Sequence, residues 1–455
     1  MNENPLGYVE VNKLIKKFAM PSVIGMLVTS IYNIVDQLFI GQAVGQLGNA
    51  ATNVAFPLTF LTIALALLFG IGGAANFNLS LGQQKKEEAP YFIGNAFMLL
   101  VMSGVILLII SRLFLHPMLI AFGSPDEVLP YADTYVAITS IGFPFVLVTV
   151  GGGHLVRADG SPAKAMIYNL SGAIINIFLD YLLTMVFKFG IAGAAYATVI
   201  GQIFSAILVI RYMTRCKTVK LSLKHLALKG MYVKRIVMLG MSACVNQVSM
   251  MAVQIIANNL LKKYGADSIY GSSIPIACAG IVMKINQVIF SIVIGISQGC
   301  QPIFSFNYGA RKFDRVRKTY KIAVLSGVII SAIAFAVIEI FPLQIFSAFG
   351  NGSSEYLEYG VLYLRVYLLF VILSAMQPVT NTFFAAIGKP AKGMIIALLK
   401  QVIIMLPAML ILTPLVGVNG VMYSGPISDV IAGVFAIVMV VIEFRKMKKL
   451  EMTPA

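Results

Sequence analysis

Charge is what this 455-residue sequence has least of: 11% of its residues are charged and 59% are hydrophobic, with a mean hydropathy of +0.88. A soluble chain carries about 25% charged residues, and no soluble core absorbs so many apolar windows of about 18 residues or more. Composition therefore excludes a soluble fold. Cysteine is sparse too: Cys216, Cys244, Cys278 and Cys300 are scattered without CxxC spacing, and inert buried thiols are expected. His116, His154 and His225 stand isolated, so no metal centre is signalled. No G-x-x-x-x-G-K-[ST] occurs, which excludes ATP hydrolysis through a P-loop and leaves an ion gradient as the expected energy source. No cleavable leader is expected either, because the first apolar run is too long for an h-region and no A-x-A site follows it.

What remains is an all-α polytopic membrane protein. Twelve spans are expected, at 14–40, 52–81, 91–111, 131–156, 164–187, 191–213, 234–261, 270–303, 320–342, 357–386, 393–413 and 419–443. The net charge of +16 could suggest nucleic acid, but the basic residues gather in alternate short connections. That is the pattern that orients a membrane protein, so no nucleic-acid partner is expected. Only Arg112, Lys188, Lys262 and Lys263 fall on the opposite side, and Lys284, Arg365 and Lys400 lie inside spans. Both termini are therefore expected in the cytoplasm of a multi-pass cell-membrane protein.

The chain is also a duplication. Arg157-Ala-Asp-Gly160-Ser-Pro162-Ala-Lys164-Ala-Met166 aligns with Ala385-Ala-Ile-Gly388-Lys-Pro390-Ala-Lys392-Gly-Met394 at an offset of about 228 residues. Ala121-Phe122-Gly123 matches Ala348-Phe349-Gly350, and Gly190, Gly193 and Tyr196 match Gly417, Gly420 and Tyr423, one residue closer. Two six-helix lobes follow, residues 1–213 and 234–455, joined by a basic connector at 214–233. An even number of spans per repeat relates the lobes by an axis along the membrane normal, an arrangement that flanks a central cavity opening alternately to either face.

Within this apolar background Asp36 and Asp180 are conspicuous. An ionised acid at the centre of a spanning helix costs about 2.5–3.5 kcal/mol on insertion scales and is found where ions bind or pass. With the topology above, Asp36, Asp180 and Thr198 lie in the outer half of the membrane, at depths within about 10 Å of one another. Asn176 shares a helix face with Asp180, and Asn33 with Asp36. Two carboxylates, an amide and a hydroxyl suit Na⁺, or a proton shared between the acids. Two close carboxylates in low dielectric cannot both stay ionised without a cation, so cation binding and conformation are expected to be linked.

The second half departs from this pattern: position 407, the repeat mate of Asp180, is Pro. It carries Lys284, Arg365, Lys400 and Asp429 within spans instead. An internal salt bridge such as Lys400 with Asp429 and a substrate or gating role are the two readings of that set.

Pro21 fifteen residues before Asp36, the N-x-x-D-x-x-F-I-G stretch from Asn33 to Gly41, Arg157-Ala-Asp-Gly160 and Asn176-x-x-x-Asp180 together resemble the multidrug and toxic compound extrusion (MATE) family. The resemblance spans nearly the whole chain. It implies an antiporter, not an enzyme, that expels amphipathic, often cationic drugs while H⁺ or Na⁺ enters, by rocking two lobes around a cleft. The DinF-like branch places its cation site on residues matching Asp36, Asn176, Asp180 and Thr198, whereas the NorM-like branch adds acids in the second lobe that this sequence lacks. A lipid or polysaccharide-precursor flippase of the same superfamily is the nearest alternative. An intramembrane aspartyl protease is disfavoured, since Asp180-Tyr181 reverses the usual order and no Gly-x-Gly-Asp follows.

Overall fold

The computed structural model describes residues 5–44, 46–122, 124, 128–271, 273–347 and 354–452, and every regular element among them is a helix. Eleven helices are long and apolar enough to cross a bilayer, and a bent pair makes a twelfth. Spans 1 to 6 are Val11–Val44, Gln46–Gly82, Ala89–Leu113, Leu129–Ala158, Pro162–Val186 and Gly190–Met213. Spans 7 to 9 are Gly230–Ala266, Ser273–Gly309 and Phe313–Ile340. Span 10 is Ser354–Tyr367 with Val371–Ala386, and spans 11 and 12 are Pro390–Val416 and Asn419–Met452.

The expected spans are all present, but four are not simple α-helices: span 4 is interrupted by a 3-10 turn at Ser140–Gly142. Span 10 bends by 50° between its two pieces. Span 5 ends in a π-helical turn, Tyr181–Val186, and span 11 contains another, Leu399–Met405. In span 11 Pro407 supplies a reason: it has no N–H to bond four residues back, and a wider turn absorbs the mismatch. The Leu406 N–H accordingly bonds the Gln401 carbonyl, five residues back.

The duplication is visible in the backbone. Gly160 and Gly388 take φ of +82° and +79°, the left-handed conformation that ends a helix at little cost only in glycine. Ser161 N–H then bonds Val156 O at 3.1 Å and Lys389 N–H bonds Phe384 O at 2.9 Å, the same reversed turn in both halves. Pro162 and Pro390 open the next spans, where a missing N–H costs nothing. Short helices Leu115–Ala121 and Pro342–Ser347 also occupy matching places. The neighbouring sequence matches at Gly123 and at 348–350 lie outside the described residues.

Buried apolar side chains form three main clusters, and their placement gives the molecule its shape. The largest joins both halves through Phe18, Phe77, Leu155, Phe304 and Phe383, residues near the basic connections. The chain ends meet on this face too: Leu6 O accepts from Asn307 Nδ2 at 2.9 Å, and Arg317 pairs with Glu451 at 2.9 Å. Here the backbones touch, since a Cβ on Gly72 would overlap the Ile236 carbonyl and one on Gly240 the Leu68 carbonyl. Toward the opposite face the core splits. One cluster, around Ala55, Leu119 and Val136, belongs to the first half; another, around Leu261, Val282 and Tyr359, belongs to the second. The halves thus share a core at the terminal face and keep separate cores at the other.

The connector is tied along the first half. Asp159, fully buried, accepts from Tyr212 Oη at 2.7 Å and from the backbone N–H groups of Lys217 at 2.5 Å and Thr218 at 2.8 Å. Asn95 donates to His225 O and Ala227 O at 3.0 and 3.2 Å and accepts from Lys229 N–H at 2.9 Å. Burial pushes the Cys216 thiol up to about 12, which keeps it inert. Span 7 begins at Gly230 with Tyr232 stacked on Tyr91, centroids 5.0 Å apart, and Arg235 paired with Glu88 at 3.3 Å.

Candidate functional site

Spans 1 and 5 pack side by side, and the two in-span acids meet between them. The Asp36 and Asp180 carboxyls are neighbours, and Asn176, one turn before Asp180, adjoins them. Asp180 is 0% exposed and Asn176 4%. Span 6 closes the cluster: Asn176 Nδ2 donates to Thr198 Oγ1 at 3.3 Å. Asp36, Asn176, Asp180 and Thr198 therefore share one location. The side chain of Asn33 lies outside the described residues.

This cluster has more acceptors than donors. Asp36 Oδ1, both carboxyl oxygens of Asp180 and Asn176 Oδ1 are buried without a donor among the described residues. As carboxylates the two acids can only accept, so their contact becomes a hydrogen bond only when one carries a proton. Unprotonated, they repel in a medium that screens poorly. Either a proton or a small hard cation satisfies such a set of oxygens. A buried carboxylate with no counter-charge is otherwise one of the costliest groups a protein can hold.

Two residues near the site were not nominated from sequence. The phenols of Tyr32 and Tyr135 stand within electrostatic reach of both acids. Tyr32 precedes Asp36 by one turn, a spacing that could have found it. Nothing local sets Tyr135 apart among 19 tyrosines. The backbone is unusual here as well: the π-turn follows Asp180 directly, and Thr184 Oγ1 donates to the Asp180 carbonyl at 2.5 Å. Single π-turns recur at functional positions in helices.

The in-span charges of the second half do not join this cluster. Lys400 Nζ lies 2.7 Å from Asp429 Oδ1 and donates to Ser374 Oγ at 2.8 Å, while Ser374 donates to Asp429 at 2.9 Å. This closed triad leaves no net charge. Arg365 pairs with Glu339 at 3.3 Å on a partly exposed surface. Lys284 is exposed on span 8 and makes no ion pair among the described residues. Gln287, one turn further along span 8, is exposed as well, and such polar groups belong against water rather than lipid.

Comparison with known proteins follows the same two-half pattern. The family described as MatE matches residues 21–182 and 242–411, most of both halves. The multidrug export protein MepA of Staphylococcus haemolyticus is 25% identical over 444 residues, covering 97% of this chain and 96% of its own. MepA of Staphylococcus aureus strain MSSA476 is 25% identical over 445 residues, with the same coverage. Among solved structures, an outward-facing multidrug resistance MATE transporter of the MOP superfamily superposes with a TM-score of 0.90 at 21% identity, covering 99% of each chain. A MOP superfamily transporter from Pyrococcus furiosus, described as having a binding pocket of reversed polarity, gives 0.91 at 21% identity and covers 98% of each chain.

Proposed function

The chain belongs to the MATE family of membrane transporters, and from that premise we propose that it is a secondary active multidrug efflux antiporter. It exports amphipathic, often cationic compounds in exchange for H⁺ or Na⁺. The observation that carries this reading is the acid pair: Asp36 and Asp180 brought together between spans, with four acceptor oxygens buried without a donor among the described residues. A site so short of positive charge is stable only when a cation visits it, and a visiting cation is what an antiporter needs. Cation entry relieves the repulsion between spans 1 and 5 and lets them close; cation loss reverses the step. The lack of a comparable acid site among the described residues of the second half supports the DinF-like branch.

The lobes of this machine are residues 1–213 and 234–455, joined by 214–233. The positive-inside bias puts both termini in the cytoplasm, so the shared core lies on the cytoplasmic side and the cleft opens outward. The exported compounds are amphipathic, often cationic small molecules. The multidrug export relatives and the drug-resistance structure support that substrate class. A flippase for anionic lipid-linked precursors calls for free cations in the cavity. Of Lys284, Arg365 and Lys400, two are spent on an acid and Lys284 alone makes no ion pair among the described residues, fewer free cations than such a cavity calls for.

Transport of an ethidium-like dye in proteoliposomes, under separately imposed pH and Na⁺ gradients, tests this function. Dye flux driven by either gradient and lost in Asp36→Asn is the expected result. Dye flux indifferent to both gradients overturns it.

A further inference from the structure

The seal between the halves holds a charge that no carboxylate balances among the described residues. Arg157, on the last turn of span 4, donates to Gln298 Oε1 of span 8 at 3.1 Å, and its Nε is buried with no acceptor among the described residues. One turn deeper, His154 Nδ1 meets Gln301 Oε1 at 3.3 Å, and Gln301 Nε2 donates to Ile71 O of span 2 at 3.2 Å. His154 and Gln301 are 2% and 3% exposed. Span 4 of the first half is thereby stitched to span 8 of the second.

No carboxylate pairs with Arg157 among the described residues. The nearest acid in sequence, Asp159, is engaged with Tyr212 and the connector. Spans 2, 7 and 8 contain no acidic residue, and span 1 contains only Asp36. Glutamine amides hold the guanidinium in place without cancelling it. Arg157 is half-buried, and proteins seldom leave a guanidinium partly withdrawn from water without a carboxylate, because an unpaired charge there is costly. A fixed positive charge in a narrow, poorly screened constriction does have one use, which is to repel cations, as an arginine does in pores that must exclude protons.

We propose that Arg157 is the coupling-determining residue of the closed seal: its charge keeps the exchanged cation from leaking between the halves to the terminal face while the cleft stands open on the other. The inference rests on the cation-coupled reading above. It adds a second requirement for antiport, since an acid pair that admits a cation is useful only if uncoupled passage is blocked.

The test uses the full-length protein in vesicles without any drug, loaded with a pH or Na⁺ indicator, under an inward H⁺ or Na⁺ gradient. Wild-type vesicles are expected to hold the gradient. Arg157→Gln is expected to dissipate it about tenfold faster, and Arg157→Lys, which keeps the charge, to stay tight. Gln298→Glu sets a carboxylate against an intact guanidinium and is expected to leak like Arg157→Gln, so the result does not depend on one variant folding. Gln298→Glu and Arg157→Gln vesicles as tight as wild type, with both proteins monodisperse, overturn the proposal. So does an Arg157→Lys variant as leaky as Arg157→Gln, which would make shape the barrier. Drug-driven cation uptake by the wild type in the same vesicles reports on the antiport reading separately.

Discussion

In the first half two carboxyls meet with no protein cation beside them among the described residues; in the second, the Lys400 ammonium lies 2.7 Å from Asp429 and both engage Ser374. The halves are copies of one unit, with the same turns at Gly160 and Gly388, yet these sites are not repeat mates. Asp180 corresponds to Pro407, and at the same offset Lys400 falls opposite Ala173. Duplication preserved the frame and let the polar positions diverge. A lobe that carries its own ammonium is already neutral and has no reason to respond to an outside cation. A lobe with unsatisfied oxygens must respond, and this division makes the first half the sensor.

The sharpest way to break this contrast is Asp180→Asn or Asp36→Asn. Drug accumulation should rise to that of cells without the transporter at unchanged membrane abundance, and retained efflux would remove the first half's special status. Next in size, Lys400→Ala leaves Asp429 buried without its partner and should cost about 3–5 kcal/mol of stability, read as thermal unfolding in detergent. The Lys400→Ala, Asp429→Ala double variant should recover part of that loss, whereas additive losses would show that the two do not act as a pair. Asn176→Ala should weaken the first site without destroying it, raising the cation concentration for half-maximal transport about tenfold, or about 1.4 kcal/mol. An unchanged requirement would take the amide out of the site. Arg365→Gln breaks only a partly exposed pair with Glu339, so a stability change under about 1 kcal/mol and wild-type transport are expected. A large effect would mean the second half uses charge in a way its geometry does not suggest.

Much of this was legible in the sequence because membranes permit few solutions. Long apolar runs gave the spans, basic connections their direction, and an offset of about 228 residues the repeat. Asp36 and Asp180 stood out because acids are rare in such runs, and equal depth was enough to bring them together. The break in span 10 was not legible, since Leu368, Leu369 and Phe370 at the bend carry no Pro or Gly and the bend is set by packing. The π-turn after Asp180 had no marker either, whereas Pro407 could have flagged the one in span 11. His154 and Arg157 read as an isolated histidine and a loop cation. Their pairing with Gln301 and Gln298 joins residues more than 140 positions apart, which no local pattern encodes.

The pinned connector has a consequence for how the halves can move. A free chain of about 20 residues would let its ends wander about 25 Å, and two bodies so leashed would have to find each other again in every cycle. Fastened at Asp159 and Asn95, the strap has no slack, and its far end is delivered at Gly230 as part of the first half's own surface. Whatever swivel occurs must pass through the opening turns of span 7, between the Arg235 clasp and the glycine contact at Gly240. The transporter then behaves as two plates on one short axle, returning to register after each stroke without a search.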